Sequence, residues 1–234
     1  MFRNHDRRGF LKVVAAVGAG LGVSVKSYAR KSGMLQTTDE MPIFEVFKHR
    51  RSVRKYKPTP VPEADIRKIL DAARMAPTAG NQQPWRFLVV RDRTTLDRLK
   101  DACITRSLEG YKQRENPTEE ELQTRKERAV EYFSNVLSAP VYIVVLIDTQ
   151  SRYPSYNRHD GPLAAGYLML AARALGYGTV YFTDSIPDEV TKEVLRIPDR
   201  YERVCITPVG VPDEWPETPD KKGLDDLVAH ETIS

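Results

Sequence analysis

The sequence predicts an α+β domain built on one sheet, and three observations point there. Segments of helical periodicity and short β-branched runs are mixed without the strict alternation that builds a parallel α/β sheet. The composition is ordinary for a globular chain, 41% hydrophobic and 29% charged, and 234 residues suffice for one domain with a real core. No internal repeat or low-complexity tract interrupts the pattern.

Taken in order, Ile43, Phe44, Val46 and Phe47 mark one face of a short helix. Pro58 and Pro60 break the chain. Pro62 opens a second helix, with Glu63 and Asp65 at its positive end and Ile66, Ile69, Leu70 and Ala73 on its apolar side. Phe87 to Val90 reads as a short buried strand, followed by a helix from about Thr94 to Ile104 with Leu96 and Leu99 inward. Tyr111 to Val136 is charge-dense and helical in composition, started afresh by Asn116-Pro117-Thr118. Val141 to Ile147 is almost wholly aliphatic, the pattern of a strand buried on both faces. Leu163 to Leu175 is apolar nearly all round, hence a central buried helix, and Gly176 ends it. Thr179 to Phe182 and Val204 to Val209 read as strands, with a helix from Pro187 to Leu195 between them. Pro216 and Pro219 keep the tail after Pro212 extended.

The basic excess has a location. The chain holds 36 basic and 32 acidic residues, a net of +4. Up to Ala29 stand Arg3, Arg7, Arg8, Lys12 and Lys26 against Asp6 alone, so residues 30–234 carry 31 of each sign and exert no global pull toward nucleic acid. Arg7-Arg8-Gly9-Phe10-Leu11, the uncharged run Val13 to Val25 and the small residues flanking Tyr28 make the layout of a twin-arginine (Tat) signal peptide. The expected organisation is a signal at 1–29, a flexible linker at 30–41 and one domain at 42–234. The apolar run is shorter than a spanning helix needs, so export with cleavage is expected, a retained membrane anchor being the alternative. The Tat translocase would then be a transient partner and the destination periplasmic or otherwise exported. That route carries folded cargo, often with a cofactor already inserted.

Cys103 and Cys205 each sit in an apolar-periodic segment, which reads as two separate buried thiols. Four histidines without metal-ligand spacing make a metal enzyme unexpected. His159 and Asp160 adjoin in sequence and read as surface or loop residues.

Two segments carry chemistry. Arg50, Arg51, Ser52 and Arg54 gather three guanidinium forks and a hydroxyl within five positions. That set can hold a phosphate, or serve as a solvated helix cap. Ala76 to Trp85 is a turn-rich loop with Thr78, Asn81, Gln82 and Gln83 and no evident partner. Its carboxamides can answer a ring that alternates donors and acceptors, or cap neighbouring elements. In order and spacing, Arg50 to Tyr56 followed by Ala76 to Phe87 resembles the N-terminal half of the nitroreductase family of FMN-dependent oxidoreductases. The likeness continues through Gly161 to Leu175, Leu175 to Phe182, Pro208 to Glu214 and a basic pair before Gly223, covering about Ile43 to Val228.

The resemblance implies a nitroreductase-like fold, a central mixed sheet flanked by helices in an intertwined homodimer with FMN at the subunit interface. It implies that Arg50, Arg51, Ser52 and Arg54 contact the phosphate and ribityl chain, that Asn81, with Gln83 of the same loop, binds the ring edge, and that Thr78 reaches the partner's flavin. Tyr181, Phe182 and Thr183 would lie along the isoalloxazine near N5, and Lys221 (or Lys222) would reach the phosphate from the tail. The implied activity is ping-pong hydride transfer through FMN, with no protein residue as general base. NAD(P)H or another donor would reduce it, and a nitroaromatic, quinone or similar small electron-poor acceptor would oxidise it. Reductive dehalogenation on the same flavin and a non-catalytic flavin carrier or electron relay are the alternatives. Tyr111, Lys112, Arg114, Arg125, Lys126 and Arg128 fall in the variable helical stretch expected to roof the pocket. They either face an anionic acceptor or pair on a solvated surface.

Overall fold

The computed structural model describes residues 41–233. The expected signal segment 1–29 and all but the last residue of the expected linker 30–41 lie outside the described residues. Helix α1 is Ile43–His49, and α2, Glu63–Ala73, starts behind Pro62 with Glu63 and Asp65 in its first turn. Strand β1 is Trp85–Val90. Helix α3, Arg93–Glu115, is capped by the Asp92 carboxylate, which accepts from Thr95 N at 2.8 Å. Its apolar stripe fades after Ile104, but the helix continues to Asn116, whose left-handed φ of 45° closes it. Thr118 and Glu121 then form a reciprocal capping box at the start of α4, Glu119–Val136.

Strand β2 is Val141–Asp148, α5 is Asn157–Ala174, α6 is Asp188–Leu195 and β3 is Tyr201–Val209. The three strands lie in the order β1-β2-β3, all antiparallel. Residues 178–182 extend the sheet beyond β3 through the bridges Gly178↔Gly210 and Phe182↔Ile206, and Ser52 pairs with Thr179 in parallel. That parallel pairing makes the sheet mixed, as expected. Thr179 to Phe182 is not the continuous strand its composition suggests. In this register Pro208 stands opposite Val180, and proline has no N–H to donate, so the ladder is reduced to isolated bridges.

Alternate residues of β2 enter two cores. Tyr142, Val144 and Leu146 pack with Leu96, Leu99, Phe133 and Val136 of α3 and α4. Val141, Ile143 and Val145 pack with Ile66 and Ile69 of α2 and with Ala165 and Leu168 of α5. The strand is buried on both faces, which is why it reads as a continuous apolar run. Helix α5 begins before Pro162 and buries Ala164, Ala165, Leu168, Met169 and Ala172, but its all-round apolar pattern does not mean burial all round in this chain. Leu163 and Tyr167 remain 44% and 40% exposed. Among the described residues no helix is long and apolar enough to cross a membrane.

Candidate functional site

The basic segment leaves α1 at Arg50 and runs between two extended stretches. Val53 N donates to Thr179 O at 2.9 Å, Lys57 N to Val211 O at 2.9 Å, and Asp213 N to Lys55 O at 3.1 Å. The Val53 side chain is buried against Gly178, where an added Cβ would lie 2.7 Å from Val53 Cγ2 and 2.9 Å from Pro212 Cγ. Only a residue without a side chain allows the backbones to come this close. The packing fixes where the flanking side chains emerge.

Arg50, Arg51 and Ser52 are half-buried and Arg54 is exposed. Arg51 Nη1 donates to Lys48 O at 2.8 Å and Arg50 O at 2.7 Å, while its Nη2 donates to Thr218 Oγ1 in the tail. Arg54 Nη1 donates to Ser52 O at 3.3 Å. A further guanidinium joins this cluster from the C-terminal turn of α5. Arg173 lies 3.7 Å from the Trp215 ring centroid, its buried Nε has no hydrogen-bond partner among the described residues, and burial followed by the charge of Arg51 holds its pKa below the usual arginine value. The same two causes lower Arg50. Among the described residues no carboxylate lies within 4.0 Å of the side-chain nitrogens of Arg50, Arg51, Arg54 or Arg173. Partly desolvated cations gathered without a counter-charge are costly alone, and a multiply charged anion offsets that cost. Sequence reasoning missed Arg173 because its neighbours in space, Arg51 and Trp215, are far from it along the chain.

The loop after α2 is held in shape from beneath. Gly80, Asn81 and Gln83 have φ values of 54°, 54° and 49°, three left-handed residues within four positions. An added Cβ on Gly80 would stand 2.6 Å from Tyr153 Cε2. Gln82, not Asn81, is the anchor: its amide donates to Asp160 Oδ2 at 2.7 Å and Tyr153 O at 3.1 Å, and accepts from Tyr153 N at 2.7 Å. Asp160 also accepts from Ala79 N at 3.2 Å and is only 3% exposed. This corrects its expected surface role, whereas the neighbouring His159 is exposed. With Gln82 turned inward, Asn81 and Gln83 are exposed, joined by a 3.1 Å bond from Gln83 Nε2 to Asn81 Oδ1. Thr78 Oγ1 accepts from Gln83 N at 3.2 Å.

The structure joins some of the predicted residues and separates others. Ser52 and Thr179 are bridged, so the basic segment and the stretch leading to Tyr181, Phe182 and Thr183 form one surface. The loop bearing Thr78, Asn81 and Gln83 docks at Asp160, near the start of α5, while Arg173 stands near its end. At the rise of a helix that is roughly 20 Å along the axis, so within one chain the amides and the arginines belong to opposite ends. Lys221 is exposed and its ammonium makes no hydrogen bond or ion pair among the described residues. Thr218, nearer along the tail, does touch Arg51.

Around Thr183 the backbone is pinned by Arg203, another residue sequence reasoning missed. Arg203 Nη2 donates to Thr183 O at 2.7 Å, its Nη1 to Ile186 O at 2.8 Å and Thr191 Oγ1 at 3.1 Å, and its Nε pairs with Asp188 at 3.1 Å. Burial, then the nearby Cys205, pushes the Tyr181 phenol up to about 12, so it remains a neutral donor. Phe182 is buried. Cys103 and Cys205 are free and buried as expected, with burial pushing both thiols up to about 12. Among the described residues no cluster of histidine, cysteine and carboxylate is arranged to hold a metal ion.

Known proteins resemble the chain over this whole architecture. The model of the nitroreductase family matches residues 47–211. A Methanothermobacter thermautotrophicus protein, provisionally named NADH dehydrogenase/NAD(P)H nitroreductase, is 33% identical over 77% of this chain and 83% of its own. An iodotyrosine deiodinase of Thermotoga neapolitana is 30% identical over 74% of this chain and 89% of its own. A crystal structure of oxidized iodotyrosine deiodinase bound to FMN and 3-iodo-L-tyrosine superposes with a TM-score of 0.64 at 26% identity, covering 82% of this chain and all of that one. With fold, motif order and family model in agreement, the chain belongs to the nitroreductase family.

Proposed function

We propose that the protein is an FMN-dependent oxidoreductase whose arginine cluster holds the cofactor's phosphate. The observation that carries this reading is the set Arg50, Arg51 and Arg173, gathered without a carboxylate and with the buried Arg173 Nε unpartnered, Arg54 standing exposed beside Ser52. A phosphomonoester brings roughly −1.5 to −2 charges and several acceptor oxygens, the complement of that donor set. Ser52 adds a hydroxyl, and Tyr181 to Thr183, on the same surface, would border the ring. When bound, FMN supplies hydride transfer from a donor such as NAD(P)H to a nitroaromatic, quinone or similar acceptor in two separate half-reactions. The protein's own part is to bind, orient and shield. An absorbance spectrum of the purified protein, with the released cofactor weighed, tests the reading. Flavin bands and an FMN mass support it, and a colourless protein that cannot be reconstituted overturns it. Arg51→Ala should lose the flavin and keep the fold.

The separation of amides and arginines along α5 supports a homodimer. One FMN can meet both sets if Thr78, Asn81 and Gln83 come from a second copy. Ile43, Phe44 and Phe47 of α1 and Leu163 and Tyr167 of the adjoining α5 supply the exposed apolar face such a contact needs. Sedimentation at a monomer mass with flavin bound would rule this out. Reductive deiodination is the second reading, favoured by the similarity to iodotyrosine deiodinases, and halide release from an iodotyrosine would single it out. We also infer Tat-dependent export of the folded holoprotein, from the segment Asp6 to Ala29. Replacing Arg7-Arg8 with two lysines should strand the precursor in the cytoplasm.

A further inference from the structure

A second site of positive charge lies between α3 and α4, apart from the arginine cluster. A cavity of about 430 Å³ opens between these helices and residues 184–189. Arg106, Ser107, Arg114 and Arg125 line it, with Tyr132 and Phe133 packed edge to face, ring centroids 5.1 Å apart. Asp184, Ser185 and Glu189 close its other wall.

The charges there are not balanced. Arg106, Arg114 and Arg125 stand against Asp184 and Glu189, a net of +1; Glu189 pairs with Arg106 at 2.9 Å, and Asp184, which keeps its charge, accepts from the Thr183 hydroxyl at 3.1 Å. Arg114 and Arg125 have no carboxylate within 4.0 Å among the described residues. Arg125 is instead steered into place, donating to Ser107 Oγ at 3.1 Å with its guanidinium 5.6 Å from the Tyr111 ring centroid. Arg114 folds back over Gly110, where even a methyl group would press on its Nη1 at 3.3 Å. A glycine inside a helix costs roughly 1 kcal/mol against alanine, and here it leaves room for a guanidinium beside the cavity. On α3, Arg93 is matched by Asp97 at 2.6 Å and Arg106 by Glu189, whereas Arg114 and Arg125, the other two arginines of the cavity, carry no such partner.

We propose that this cavity binds the anionic group of the electron-accepting substrate. The acceptor it fits is a planar, electron-poor aromatic carrying a carboxylate or an equivalent oxyanion. The oxyanion is held by the forks of Arg114 and Arg125 and the ring lies against Tyr132 and Phe133. The inference rests on the flavin reading, because Asp184 and Ser185 of the cavity's far wall follow Thr183 directly along the chain.

The test uses the yellow, FMN-loaded protein and two probes of one shape, 4-nitrobenzoate and uncharged nitrobenzene, with binding followed by calorimetry and by the flavin absorbance change. Arg114→Gln together with Arg125→Gln should weaken 4-nitrobenzoate at least about tenfold and leave nitrobenzene within about twofold, at unchanged flavin content and melting temperature. Arg125→Lys should retain part of the preference, a point charge replacing a fork. Glu189→Gln, which frees Arg106, should tighten 4-nitrobenzoate. Wild-type protein that binds the two probes equally, or a double variant that loses both alike, overturns the proposal. A chain that takes no FMN would overturn the flavin reading and this inference with it, and the absence of colour identifies that case before any probe is added.

Discussion

The two sides of the candidate site are built by opposite means. On the arginine side the chain is clamped between backbones: Val53 and Thr179 are buried and Gly178 permits a close approach. On the α3–α4 side no residue between Cys103 and Ala129 is buried, and the turn rests on a left-handed Asn116 and the Thr118–Glu121 capping box. Elements with few buried apolar contacts open locally at low free energy, and those with many open only when the whole domain does. The difference assigns rigidity to the surface that would hold a constant cofactor and mobility to the one that would meet a variable substrate.

Forcing the clamped side apart should have the largest effect. Gly178→Val would place methyl groups where Val53 and Pro212 already stand within 2.9 Å of a single Cβ. Overpacking costs about 1–3 kcal/mol, and contacts this short put the variant at the top of that range; at this chain length each kcal/mol lowers Tm by roughly 2–4 °C. Calorimetry should show that fall together with loss of bound flavin, since the segment carrying Arg50 and Arg51 is the one displaced. Melting near the wild-type temperature with flavin retained would mean that the close approach is not what positions the arginines.

Arg203 lies at the join of the two sides, and its loss should be smaller and more local. Arg203→Met keeps the bulk of the side chain but leaves Thr183 O and Ile186 O without their donor. A lost hydrogen bond at a partly buried group costs about 2 kcal/mol, most of it falling on residues 183–188. The expected signature is a shifted flavin spectrum and a raised KM for the acceptor, with the phosphate still bound. A change in kcat alone would argue against a positioning role.

Much of this was legible in the sequence, for reasons that particular residues make plain. Strand β2 announced itself because both of its faces are buried, and the Thr118 start of α4 because a capping box is local chemistry. The basic segment was visible because its donors are consecutive. What escaped was set by distant partners. Asp160 looks like a loop residue until Ala79 and Gln82 are folded onto it. Arg173 and Arg203 look like helix-end and strand charges until Arg51, Trp215 and Thr183 arrive. Pro208 interrupts the ladder beside Val180, a consequence of register that neither segment reveals alone.

The smallest effect should come from the mobile side. Thr118→Ala removes the side-chain half of the capping box, worth about 1 kcal/mol at an exposed N-cap, so Tm should fall by only a few degrees and flavin content should not change. Its partner gives the pH dependence. The Glu121 carboxyl is held below the usual carboxylate range, first by the Thr118 backbone N–H and then by its hydroxyl. A depressed folded-state pKa contributes stability above the unfolded value, near pH 4.3, and that contribution is lost as pH falls through the folded one. The gap in Tm between wild type and Glu121→Gln should therefore be present at neutral pH and close in acid. Hydrogen exchange should place the loosening in residues 104–128 and leave the amides of Val53 and Phe182 protected. Loosening that spread to those amides would mean that the two sides fold as one unit and that the contrast between them is only one of exposure.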